Sequence, residues 1–66
     1  MHSIPPTPDD IALHLRALSA DMIRVGDAME YIGGFGPMAE RGIELVGAGH
    51  IALEWAEHIE KELTNG

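Results

Sequence analysis

From Ile11 to Ile32 the apolar residues Ile11, Leu15, Leu18, Met22, Val25, Met29 and Ile32 follow one another at spacings of four and three without a miss. Held over three heptads, this alternation keeps all seven on one side of an α-helix. It is the pattern of helices that pack lengthwise at a small crossing angle, as in coiled coils and four-helix bundles. Arg16, Asp21, Arg24, Asp27 and Glu30 occupy the other sides, and Leu13, Ala17, Ala20 and Ile23 add a weaker second apolar strip. Gly26 costs about 1 kcal/mol of helix propensity, which a packed seam outweighs.

The start of this helix is marked. Residues 1–8 hold all but one of the four prolines and read as an extended N-terminal lead-in to a single helical-hairpin domain over residues 9–66. Thr7 is placed to cap, Pro8 suits the first helical position, and Asp9 and Asp10 set negative charge at the positive end of the helix dipole. Gly33-Gly34-Phe35-Gly36-Pro37 then breaks the helix, with Gly33 or Gly34 as the left-handed residue common after a helix end and Pro37 opening the next helix. So short a break implies antiparallel neighbours.

The second helix is expected from Pro37 to about Leu63, with heptad positions Met38, Gly42, Leu45, Gly49, Ala52, Ala56, Ile59 and Leu63. Half of these are glycine or alanine, and the large side chains of the first helix are expected to fill the space they leave. Ala48, Ile51, Trp55 and Ile59 form a further strip, and Ile43, Val46 and Leu53 lie on yet another side. One partner helix cannot cover them all. A 66-residue chain without cysteine has no disulfide to brace a small core. The fold class expected is therefore all-α, an antiparallel helical hairpin assembling into a homo-oligomeric helix bundle. A dimeric four-helix bundle is the simplest form, with a trimer or larger ring as the alternative.

Composition narrows function. Eleven acidic against four basic residues give a formal charge of −7, which repels a phosphate backbone or an anionic membrane, so neither direct nucleic-acid binding nor membrane binding is expected. No run of eighteen apolar residues is present, and Met1-His2-Ser3-Ile4-Pro5-Pro6 has neither a basic nor an apolar targeting region. A cytoplasmic location is the expectation.

Several residue groups can carry chemistry. His50, Glu54 and His58 recur at every fourth position and fall along one side of the second helix, a spacing that can hold a divalent metal if a symmetry mate adds a ligand. Glu40, Glu44 and Lys61 share that side, however, which marks it as a solvated face. His58 lies in reach of Glu54 and Glu62 as an ordinary helix pair. Gly34 and Gly36 flank Phe35 before a helix start, where backbone N–H groups can cradle a phosphate, but no strand precedes them and no lysine follows. Gly47 and Gly49 suit close helix packing, or else a ligand pocket between subunits. Phe35 at the turn is either an anchor for a partner or a cover over the bundle end, and Trp55 at helical spacing with Ile51 and Ile59 reads as core or oligomer interface. Ser3 and Ser19, the only serines, lie outside any nucleophile motif, and no carboxylate pair stands out as acid and base.

No cofactor and no catalysis are expected. The reading that follows is a small non-catalytic, homo-oligomeric interaction protein, a regulator or inhibitor that binds another protein. The alternative is a small-molecule or metal-binding oligomer with sites between subunits.

Overall fold

The computed structural model describes residues 7–65. Two helices, α1 (Pro8–Gly33) and α2 (Pro37–Asn65), pack as an antiparallel hairpin. Most of the lead-in expected over residues 1–8 lies outside the described residues, and its last two residues belong to the start of α1.

Each helix end has a local cause. Thr7 has extended backbone (φ −84°, ψ 140°), its Oγ1 accepts from the Asp10 N–H at 3.3 Å, and its carbonyl accepts from the Ile11 N–H at 3.1 Å. The Thr7 hydroxyl in turn donates to the Asp10 carboxylate, so cap and first turn hold each other in place. At the other end Gly34 takes φ 59° and ψ −110°, and the Gly36 N–H donates to the Gly33 carbonyl at 2.9 Å. Those dihedrals and that bond make residues 33–36 a type II′ β-turn with Gly34 at its first central position, a conformation reserved for glycine. The positive φ thus falls on Gly34, one of the two glycines expected to supply it, but ψ −110° makes a type II′ turn rather than a left-handed helical cap. The Gly36 carbonyl then accepts from the N–H groups of Ala39 (3.0 Å) and Glu40 (3.4 Å), which starts α2 over Pro37, a residue with no N–H to leave unpaired.

The contact between the helices is made of small residues on both sides. Buried on α1 are Ala12, Ser19 and Gly26, one per heptad; buried on α2 are Ala39, Gly42, Gly49, Ala52 and Ala56. The backbones touch. A methyl group at Gly42 would stand 2.6 Å from the Gly26 carbonyl oxygen, one at Gly26 would stand 2.7 Å from the Gly42 oxygen, and one at Gly33 would stand 2.5 Å from the Ala39 nitrogen. Among the described residues the only side chain sealed from solvent at this seam that is larger than alanine belongs to Ser19.

This corrects in part the expectation that the large residues of α1 fill the space over the glycines of α2: Ile23 and Met22 lie against Gly49 and Met29 against Gly42, but half of the seam stays out of the contact. The seven-residue seam is split. Leu15, Met22 and Met29 are half-buried beside the contact, whereas Ile11, Leu18, Val25 and Ile32 are exposed, Leu18 by 52% and Ile32 by 74%. A leucine set against Gly42 or Gly49 would hold the helix axes apart and leave empty space over the neighbouring alanines. Small facing small brings the two surfaces into contact along their whole length, and dispersion attraction needs that contact.

Two unlike sides result. On one, Arg16 reaches Glu60 across the helices, and Ile23 and Val46 lie beside Gly49 and Gly26. On the other, the Cβ atoms of Met22 and Met29 flank Gly49 and Gly42. Helical periodicity then assigns Arg16, Ile23, Glu30, Val46, Leu53 and Glu60 to the first side, with Leu13, Asp27, Ile43 and Glu57 further out. The second side takes the whole seam of α1 together with Met38, Leu45, Ala48, Ala52, Trp55 and Ile59 of α2.

Candidate interaction surface

The second side carries no charged residue between its ends. The positions of α1 that face it from Ile11 to Ile32 are apolar but for His14 at its outer edge, and on α2 Arg41 with its ion-pair partner Glu44 intrudes near the turn and Glu62 near the open end. Val25 and Met38 are roughly half exposed and Trp55 is 63% exposed. This is a continuous apolar surface along the length of the hairpin, larger than the scattered apolar residues of an ordinary protein exterior.

The first side is charged and carries a cross-helix ion pair. Arg16 donates from Nε to Glu60 Oε2 at 2.6 Å and from Nη2 to Oε1 at 2.7 Å, a two-pronged pairing. The hydrogen bonds and charge of Arg16 hold the Glu60 carboxyl below the usual glutamate value, and Glu60 raises Arg16 in return. Arg24 pairs with Asp21 (2.8 Å) and Arg41 with Glu44 (2.7 Å) within one helix, and His58 Nε2 lies 3.6 Å from Glu62 Oε1 on α2; all three are largely exposed.

The residues singled out from sequence fall in four places. Gly34, Phe35 and Gly36 form the turn, and Phe35 projects fully into solvent, so it does not fold back over the end of the hairpin. Tyr31 and Ile32, also exposed, stand beside it at the close of α1; Tyr31 gave no sign of this in the sequence. Gly49 is spent in the helix contact, where a methyl group would lie 2.8 Å from Ile23 Cγ1, 3.1 Å from the Ser19 carbonyl oxygen and 3.2 Å from Met22 Cβ. Gly47 is the opposite case, with nothing within 4 Å of the position a Cβ would take. Trp55 lies on the uncharged side.

His50, Glu54 and His58 are all exposed, and no three histidine or acidic side chains among the described residues come together as a metal site. Nor does a pocket open among those residues. No described helix is long and apolar enough to cross a membrane. Comparison with family models, with curated proteins and with solved structures returns no match for this chain.

The seam residues are legible in the sequence, but Ile11, Leu18, Val25 and Ile32 lie outside the hairpin contact rather than within it. The sign that they lie outside it was present as a second seven-residue register, Ala12, Ser19, Gly26 and Gly33, adjacent to the first and made only of small residues like those of α2.

Proposed function

We propose that this chain is a small non-catalytic, self-associating interaction protein that acts in the cytoplasm as a regulator or inhibitor by binding another protein. One observation carries the reading: among the described residues the hairpin buries alanine, glycine and serine and leaves leucine, isoleucine, valine and tryptophan side chains partly or wholly in water. Burying such a side chain fully is worth about 1.5–3 kcal/mol, so the largest reserve of hydrophobic stabilisation in the molecule is available only to association. The acidic first side and the exposed turn then supply surface for a second, different protein. Aromatic residues dominate interface energetics, and carboxylates select basic partners.

The test is the solution mass over a dilution series, by sedimentation, with helicity followed on the same samples. An oligomer whose helicity falls as it dissociates is the expected result; a helical monomer at every concentration would remove the self-association half of the proposal. The other half is tested by affinity capture with the tagged full-length chain. A single protein recovered in fixed ratio is expected, and none above background counts against a regulatory role.

A further inference from the structure

We infer that the uncharged side of the hairpin is the self-association surface and that its occupant is a second copy of this chain, laid face to face so that α1 of each copy covers α2 of the other. The inference rests on the self-association reading above and specifies its geometry.

Size is the first argument. A 26-residue helix is about 39 Å long at ~1.5 Å per residue, and two helices in contact present a face roughly 18 Å wide. The footprint is on the order of 700 Å², close to the ~800 Å² per partner of a stable protein interface.

Charge is the second. Both copies carry the same formal −7, so the copies meet most favourably where each presents fewest carboxylates, and on the uncharged side these stand only toward the ends, Glu44 beside Arg41 and Glu62 near the open end. Stacking through the uncharged side turns Asp27, Glu30 and Glu57 of the two copies to opposite exteriors of the bundle, whereas stacking through the first side would set them against each other. A basic partner protein would seek those carboxylates and gain nothing from the uncharged side.

Relief is the third. On α1 the face is a ridge of large residues, Leu18, Met22 and Val25 at its centre, while α2 near its own midpoint has a dip at Ala48, between Leu45 and Trp55 and beside the buried Ala52. A two-fold axis running along the helices sets the centre of each copy's ridge over Ala48 of the other, large into small. A two-fold axis across the helices would instead set ridge on ridge. In the favoured arrangement α1 of one copy runs antiparallel to α2 of the other at matching height, which brings Trp55 against Ile11 and Leu15, in the open-end half of α1, and toward Leu18 of the second copy.

The experiment compares two pairs of full-length variants by sedimentation: Leu18→Glu and Val25→Glu on the uncharged side, Leu13→Glu and Ile43→Glu on the charged side. All four sites are substantially exposed in the hairpin. The uncharged-side pair is expected to raise the dissociation constant at least about 100-fold, since symmetry buries the new charge in both copies, and the charged-side pair to leave the mass unchanged. Dissociation by Leu13→Glu or Ile43→Glu with Leu18→Glu still assembled would overturn the assigned face while leaving self-association standing. A helical monomer for the unmodified chain would overturn both. If Leu18→Glu also loses its helices, the sole tryptophan decides on unmodified protein: Trp55 emission is expected to be blue-shifted and shielded from acrylamide in the assembled state and to redden on dilution. Trp55 fully open to quencher in an assembled sample would overturn the arrangement.

Discussion

Three glycines of α2 stand within eight residues and have unlike physical roles. Gly42 and Gly49 permit the backbone of α1 to come within contact, and a methyl group at either would meet the Gly26 carbonyl at 2.6 Å or Ile23 Cγ1 at 2.8 Å. Gly47 meets nothing, so its missing side chain costs helix propensity and returns no contact within the hairpin. Alanine should therefore act in opposite directions. Gly42→Ala and Gly49→Ala gain about 1 kcal/mol of propensity but force the helices apart, for a net loss of roughly 1–3 kcal/mol. Gly47→Ala should stabilise by about 0.5–1 kcal/mol. Urea unfolding followed by helicity at one fixed protein concentration separates the two classes, and a stabilised Gly42→Ala would show that the backbones are not in contact there. The measurement has a second use: should Gly47→Ala stabilise the hairpin yet weaken capture of a partner, the bare backbone at Gly47 is part of a docking surface.

At the scale of elements, the helices are set by their ends as much as by their apolar pattern. The cap of α1 was legible because its chemistry is local: Thr7 followed three residues later by Asp10, with Pro8 between, needs no knowledge of α2. The turn was legible in position but not in kind. Any of its glycines can adopt a positive φ, and only the demand that α2 return against α1 at contact distance selects Gly34 at φ 59°, ψ −110°. Gly34→Ala should cost about 1–3 kcal/mol although the site is open, because the cost is backbone strain rather than a clash. The corresponding readout is the urea midpoint, expected to fall while its slope stays constant. An unchanged midpoint would mean that another residue of the turn takes over the positive φ.

For the whole molecule, a charged tie between the helices is made by Arg16 with Glu60. Glu60 is held below the usual glutamate value in the folded hairpin, chiefly by the hydrogen bonds from Arg16. A depressed carboxyl stabilises the fold above its unfolded pKa, and that contribution is lost as the pH falls through the folded one. Unmodified protein should thus lose a part of its stability on acidification that Glu60→Gln does not lose. Fixed-concentration melts from neutral pH down past the carboxylate range read the difference between the two proteins, which cancels the relief of general acidic repulsion common to both. Parallel pH profiles would mean that the pair is too well solvated to tie the helices.

The sequence by itself determined that the chain forms two helices, where each begins, that they return on one another, and that they carry more apolar surface than one hairpin buries. Each of these depends on residue type at local spacing, and helical periodicity, capping and glycine breaks act over a few residues. Only the tertiary structure decided which register of α1 meets α2. The large seam from Ile11 to Ile32 and the small one from Ala12 to Gly33 have the same seven-residue period and lie side by side on the helix, so period alone does not distinguish them. The choice falls to the surface of α2: Gly42, Gly49 and Ala56 admit a backbone at contact distance, only the small register of α1 can approach that closely, and the large register is left facing outward.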